Sequence, residues 1–155
     1  DMEDVSEYNR YEVAEVIQER GGELEPLFEY LELSIKTSKS SESVSTIIDI
    51  LKSGKVSPAE SYLIMKKIIS ETDYYSHIFS SFIDDISEIN FTGHELSKLL
   101  ISATDKIGDS FNYNAHELYL FLKNNKFKGR SKLVKILLKN PHLSDYHASF
   151  FKKLL

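Results

Sequence analysis

A dense run of basic side chains lies in the last third of the chain, where it could bind phosphates or carboxylates. This basic stretch comprises Lys123, Lys126, Lys128, Arg130, Lys132, Lys135 and Lys139. Lysines near the start of a helix, with asparagine amides beside them, are typical of phosphate-led nucleic-acid binding. One arginine is few for reading bases, because that readout depends on the planar guanidinium fork. The basic stretch therefore predicts contact with an anionic partner, with little sequence specificity if that partner is a nucleic acid.

The spacing of the lysines also fits a solvated helix face that has no partner. Lys128, Lys132, Lys135 and Lys139 recur at i, i+4, i+7 and i+11. They lie opposite the apolar side of the same predicted helix. Lys152 and Lys153 could extend the basic patch. The sequence leaves both interpretations open.

Charge is distributed unevenly along the chain, whose net charge is −5. Residues 1–33 hold eleven acids against Arg10 and Arg20, whereas residues 122–155 hold nine bases against Asp145 alone. Such polarity indicates electrostatic contact, either with a charged partner or between the two ends of the chain. Surface ion pairs between the ends would add only about 0–1 kcal/mol each. We favour a free basic patch that meets an acidic protein partner, with nucleic acid second.

Two histidine-glutamate pairs, His94-Glu95 and His116-Glu117, are the residues most suggestive of a metal site. A zincin helix needs a second histidine four positions after the first, and those positions hold a lysine and a leucine. Both glutamates are explained by helix capping boxes. We therefore predict that both histidines are first-turn residues and that no metal is bound.

The other titratable clusters indicate solvated helix surfaces. They are Asp84, Asp85 and Glu88; Asp105 and Asp109; and His142 and His147. A catalytic carboxylate pair needs one carboxyl in an apolar setting that shifts its pKa, and the pattern around these acids is polar. No nucleophile elbow, phosphate-binding glycine loop or serine-histidine-aspartate motif is found. We predict no enzymatic activity, no catalytic residue and no cofactor.

Length and composition are those of one soluble globular domain. The chain has 155 residues, 41% of them hydrophobic and 28% charged, and it contains no cysteine. No run approaches the roughly 20 apolar residues that span a bilayer, so no membrane contact is expected. A chain that begins at Asp1 can have lost a leader, but no secretory signal is found and we expect a cytoplasmic location. We predict a single domain over residues 1–155, with a possible sub-boundary in the serine-rich loop 36–43.

The stretch from Ser57 to Ile89 predicts the central pair of helices. Ser57 can cap the first helix, Pro58 suits its first position, and Glu60 completes a capping box. The two helices carry most of the predicted core, which other helices complete. The predicted core comprises Leu63, Met65, Ile68, Ile69, Ile78, Phe79, Phe82, Ile83, Leu96, Leu99, Leu100, Phe121, Leu133 and Leu137.

A helix capping box combined with a hydrophobic staple occurs twice, 22 residues apart, in residues 91–96 and 113–118. Each copy has an aromatic residue, a capping residue and a glutamate three places on, so helices should start at Thr92 and Asn114. Ser144 should cap a last helix. Every strong periodicity is near 3.6, and the fold class is predicted to be all-α. We expect eight or nine short helices packed as irregular antiparallel hairpins, either a HEAT/armadillo-like stack or an orthogonal bundle.

An all-α stack without a catalytic motif favours a non-enzymatic protein-protein interaction module, such as an adaptor, effector or inhibitor. Tyrosines outside the core could contact its partner, because aromatic side chains are enriched at interface hot spots. The candidates are Tyr8, Tyr11, Tyr74, Tyr119 and Tyr146. The alternative is a phosphate-led nucleic-acid-binding domain that uses the basic stretch. A contiguous exposed aromatic patch would favour the first function.

Overall fold

The structure is a computed structural model that describes Glu29, residues 40–73 and residues 79–155. Its helices are α1 (Ser40–Lys52), α2 (Pro58–Glu71), α3 (Phe79–Glu88), α4 (Gly93–Ile107), α5 (Phe111–Asn124), α6 (Arg130–Leu137) and α7 (Asp145–Lys152). A 3-10 turn, Gly108–Ser110, joins α4 to α5. These ranges contain no strand. The prediction of an all-α protein is confirmed for the part of the chain that the structure describes.

Three of the described helices begin where the sequence predicts a cap. The Ser57 hydroxyl accepts the Glu60 amide at 3.3 Å, and Pro58 opens α2. Thr92 and Glu95 form a reciprocal capping box at the start of α4, with hydrogen bonds of 3.2 and 3.0 Å. Ser144 caps α7 by accepting an amide at 3.3 Å. These local hydrogen bonds satisfy amides that the helix itself leaves unpaired.

Two helix starts differ from the prediction. The turn at Gly108–Ser110 leads straight into α5, so this helix begins at Phe111 and not at a cap on Asn114. Asn114 lies inside α5 and donates its side-chain amide to the Ser110 carbonyl at 2.9 Å. The helix α1 begins at Ser40, so the end of the serine-rich loop 36–43 is helical. Residues 36–39 lie outside the described ranges, and a boundary there stays a prediction.

The core is built from the apolar faces of all these helices, and Phe79, Phe82, Phe111 and Phe151 are its largest fully buried side chains. The predicted core positions are confirmed except for three. Leu63 is 47% exposed, because α2 has one wet face and is not apolar all round. Leu96 is half-buried, and Ile78 lies outside the described residues.

Helices of odd number form a row in which each contacts the next odd helix. At the ends of α1 and α3, the Lys52 ammonium lies 2.5 Å from a carboxylate oxygen of Asp85. At the starts of α5 and α7, the Ser144 amide donates to the Asn112 side chain at 3.0 Å. The contacts of α5 and α7 continue along both helices, so these two helices run parallel.

Helices of even number form a second row of the same kind. The Lys106 ammonium, near the end of α4, donates to the Ser70 carbonyl near the end of α2 at 2.9 Å. Gly93, at the start of α4, lies directly against the backbone of Lys128, just before α6. The cavities between α4 and α6 are lined by both helices from their starts to Asp105 and Lys139, so α4 and α6 run parallel.

The contacts within the two rows do not test the antiparallel hairpins predicted between consecutive helices. The two-residue connection between Gly54 and Ser57 predicts α1 and α2 as close antiparallel neighbours, and this stays a prediction. A short connection limits the distance between two helix ends but does not fix the angle at which the helices cross. Since part of the chain lies outside the described ranges, the predicted helix count is not tested.

Candidate interaction surfaces

Arg130 of the basic stretch has a structural role. Its guanidinium donates to the Leu122 carbonyl at 2.9 Å, in the last turn of α5. Asn125 pairs with the same turn, because its backbone and side-chain amides both donate to the Phe121 carbonyl at 2.9 Å. These bonds satisfy carbonyls that the end of a helix leaves free. Arg130 thus holds the turn between α5 and α6.

The six lysines of the basic stretch are all exposed, but they point to different parts of the surface. Lys126 lines a cavity of about 330 Å³ between the ends of α3 and α5. Lys128 and Lys132 line a groove between α4 and α6, and Lys139 lines its far end. Lys123 and Lys135 line none of these cavities. Within the described ranges, none of the six forms an ion pair.

The α4–α6 groove has an apolar floor and a basic rim. Its main cavity has a volume of about 500 Å³. Ile101, Leu133 and Ile136 form the floor, and Ile136 is 39% exposed there. Lys98, Lys128 and Lys132 form the rim. This combination suits a ligand that is both apolar and negatively charged.

The groove continues along both helices to their ends. A second cavity, of about 170 Å³, shares Ile101 and Ile136 with the first and reaches Asp105 and Lys139. At a rise of about 1.5 Å per residue, the stretch of α4 from Gly93 to Asp105 is roughly 18 Å long. The groove therefore matches about three turns of a bound helix in length. Its charge is concentrated at the end where α4 and α6 begin.

A second surface follows the parallel pair α5 and α7. We call it the aromatic surface and define it by Tyr113, His116, Tyr119, Tyr146 and Phe150. Tyr113 is 89% exposed and Tyr146 is 69% exposed. The Phe150 ring lies 5.4 Å from the Tyr119 ring and 5.2 Å from the Tyr146 ring, between centroids. The rings of His116, Tyr119, Phe150 and Tyr146 thus form one contiguous cluster across the two helices, and Tyr113 precedes them on α5.

The sequence predicts only part of the aromatic surface. Tyr119 and Tyr146 are among the predicted contact tyrosines, while Tyr8, Tyr11 and Tyr74 lie outside the described residues. Tyr113 was missed because it was assigned to the position before a helix cap. With α5 beginning at Phe111, Tyr113 and His116 come three residues apart on one helix face. The i, i+4 spacing of Tyr146 and Phe150 was the signal that could have indicated the rest.

Asn112, Ser144 and His147 form a hydrogen-bonded cluster where α5 and α7 begin. The His147 Nδ1 lies 2.9 Å from Asn112 Oδ1, an atom that only accepts, so Nδ1 carries the proton. The Ser144 hydroxyl lies 3.1 Å from that same nitrogen. A serine nucleophile needs an unprotonated histidine nitrogen as its base. This cluster therefore joins two helices and does not activate Ser144.

The other titratable clusters are solvated or paired. His94 and His116 are both exposed. His94 lies in the first turn of α4 as predicted, whereas the prediction of a first-turn residue is wrong for His116, because α5 begins five residues before it. Asp85 pairs with Lys52, and Glu88 lies 3.6 Å from the same ammonium. The hydrogen bond to Asp85 raises the pKa of Lys52 above its usual 10.5, although partial burial opposes the shift. In the part of the chain that the structure describes, no three metal-ligating side chains converge.

Comparison with known proteins finds no family model, no curated protein and no solved structure that matches the chain. Among the described helices, none combines the length and the apolar character that crossing a membrane requires. The function is therefore inferred from the two surfaces.

Proposed function

We propose that this chain is a non-enzymatic, cytoplasmic protein-interaction module that binds its partner through a helical surface. The aromatic surface on α5 and α7 carries this proposal. Tyr113 and Tyr146 expose most of their area, and large aromatic side chains dominate the binding energy of protein interfaces. Single exposed apolar residues are normal, but a contiguous cluster marks an interaction site.

Rings of the aromatic surface pack against one another within the chain itself. The Phe150 ring contacts Tyr119, Tyr146 and His116, and the Lys153 ammonium lies 5.1 Å from its centroid. The hydrogen bonds of Asn112 to Ser144 and His147 set the position of α7 on α5. A rigid surface loses less conformational entropy on binding than a flexible one. This favours a role in recognition.

The packing supports our proposal of an irregular helical stack, in the manner of HEAT or armadillo proteins. Contacts between every second helix are what two stacked layers of helices require. Stacked helical proteins commonly bind partners along an extended face. An orthogonal bundle would not need the same ordering of contacts.

The proposed partner carries acidic groups near its contact with the basic stretch. Lys126, Lys128 and Lys132 are exposed and form no ion pair within the described ranges. Charge complementarity of this kind raises association rates and excludes positively charged competitors.

The experiment is an affinity purification from extract of the native host with three forms of the full chain. These are wild type, Tyr113→Ser/Tyr146→Ser, and Leu63→Ser as the matched control, because Leu63 is also exposed but lies on α2. We expect a partner that wild type and control recover equally and that the tyrosine variant loses. The purified partner must then bind the wild-type chain directly. Equal recovery by all three forms would refute the role of the aromatic surface.

Nucleic-acid binding is the second candidate, and one observation favours it. All six lysines of the basic stretch remain exposed, so their ammonium groups are accessible to phosphates. The apolar floor of the α4–α6 groove and the engagement of Arg130 with Leu122 favour a protein ligand instead.

A further inference from the structure

We infer that the α4–α6 groove is a docking site for an acidic amphipathic helix of a protein partner. The inference rests on the proposed function only in one respect, since it takes the ligand to be a protein. The groove lies on different helices from the aromatic surface, so it is a second site.

The apolar floor requires apolar side chains on the ligand. Ile101, Leu133 and Ile136 form that floor, and Ile136 keeps 39% of its surface exposed. Burial of apolar surface against this floor would stabilise a complex. A ligand made only of charged groups, such as a phosphate chain, would leave this floor in contact with water.

The rim requires negative charge at one end of the ligand. Lys98, Lys128 and Lys132 surround the end of the groove where α4 and α6 begin. The positive ends of two helix dipoles lie there too, which adds to the potential of the lysines. At the other end Asp105 stands with Lys139, so the charge there is balanced. The acidic residues of the ligand should therefore lie at the lysine end.

The groove favours a helical ligand over an extended one. Two parallel helices form its walls, and their backbone amides and carbonyls are already paired within each helix. An extended peptide would find no strand edge to satisfy its own backbone groups. A helix satisfies them internally and inserts side chains at i, i+3, i+4 and i+7 into the groove.

The test uses the full chain and a labelled synthetic peptide of about four helical turns, with glutamates in its first two turns and leucines at helical spacing. NMR would map the contacts, and fluorescence anisotropy would give the affinity. We expect shifts confined to amides of α4 and α6. Ile136→Glu and Lys128→Glu/Lys132→Glu should each weaken binding at least tenfold. The matched control is Lys135→Glu, an exposed lysine on the same helix that does not line the groove, and it should change affinity less than twofold.

Three results would overturn the assignment. The first is a peptide that binds without shifting the groove amides, or does not bind at all. The second is a generic duplex that displaces the peptide from the same lysines at lower concentration, because the site would then belong to nucleic acid. The third is a chain that binds the peptide only after the acids of residues 1–33 are neutralised, which would make the ligand a segment of the chain itself. Tyr113→Ser/Tyr146→Ser should leave peptide binding unchanged. A negative result for the aromatic surface can therefore be distinguished from a negative result for the groove.

Discussion

Gly93 lies so close to the carbonyl oxygen of Lys128 that a β-carbon added to Gly93 would clash with it. The added atom would also approach the Lys128 amide nitrogen to 3.2 Å. Both atoms of Lys128 belong to the backbone, so no side-chain rotation relieves the clash. This contact sets the distance between the start of α4 and the loop before α6, and so the width of the α4–α6 groove at its basic end.

Gly93→Ala should destabilise the protein, even though alanine is the better helix former. Overpacking of this kind typically costs about 1–3 kcal/mol, and thermal and urea unfolding would measure the loss. The same variant should also widen the groove and weaken binding of the acidic peptide. The control is His94→Ala at the next, exposed position, which should stay within about 0.5 kcal/mol of wild type. Equal stability of Gly93→Ala and wild type would show that the loop before α6 moves away from the added β-carbon without a loss of stability.

Asn112→Ala should loosen α7 while leaving the rest of the fold in place. The substitution removes the acceptor of both the Ser144 amide and the His147 ring, and hydrogen bonds of this kind contribute about 1 kcal/mol each. Hydrogen exchange of the α7 amides should speed up several-fold, and partner binding through Tyr146 should weaken. The control on the same helix is Asn124→Ala, because Asn124 is exposed. Unchanged exchange in α7 would show that its apolar contacts alone hold it.

The pH dependence of stability should reveal the ion pair of Lys52 and Asp85. Folding raises the pKa of Lys52, so the folded state favours the protonated amine. The pair therefore stabilises the protein fully below the usual lysine pKa of 10.5, and its contribution is lost as the pH rises through the raised value. Lys52→Met should lower the free energy of unfolding by about 0.2–1 kcal/mol at neutral pH.

The difference between wild type and Lys52→Met should shrink in urea unfolding at increasingly alkaline pH. Lys55→Met is the control, because Lys55 is exposed and forms no ion pair within the described ranges. Its small effect should not depend on pH in the same way. A difference for Lys52→Met that grows above pH 10.5 would contradict the sign of the shift.

Helix ends were predictable where the signal is local. Ser57, Thr92 and Ser144 each accept an amide three residues along the chain, so the residues involved are visible in the sequence. Asn114 carries the same pattern, yet α5 begins before it. The preceding 3-10 turn continues directly into a helix whose first residue, Phe111, is fully buried. Tertiary burial of one phenylalanine outweighed a local cap.

The two surfaces were harder to predict, because each joins helices that are not consecutive. The lysines of the basic stretch were identified, but their division between faces depends on the pairing of α6 with α4. Lys98, which completes the rim of the groove, lies 30 residues before Lys128 in the sequence. Arg130 resembles its basic neighbours in the sequence, and only its hydrogen bond to Leu122 shows a structural role.

A titration with nucleic acid at low salt separates the two candidate functions. Phosphate contacts contribute about −0.9 each to the slope of log affinity against log salt on duplex DNA, and about −0.7 on single strands. A duplex held by four lysines would lose about twelvefold in affinity with each doubling of salt. Because the exposed lysines are divided between the α4–α6 groove and other faces, few can follow one row of phosphates. We expect no micromolar binding to a generic duplex or a generic single strand, even at low salt.

The decisive variant is Lys126→Glu/Lys128→Glu/Lys132→Glu, which leaves Arg130 in place because its loss would disturb the turn after α5. Micromolar binding of wild type that this variant abolishes would place nucleic acid ahead of a protein partner.

The acidic peptide supplies the opposite test, since its affinity should fall less steeply with salt than that of a duplex. Its apolar contacts with Ile101 and Ile136 release no counterions, so only the few lysine contacts at the rim contribute to the slope.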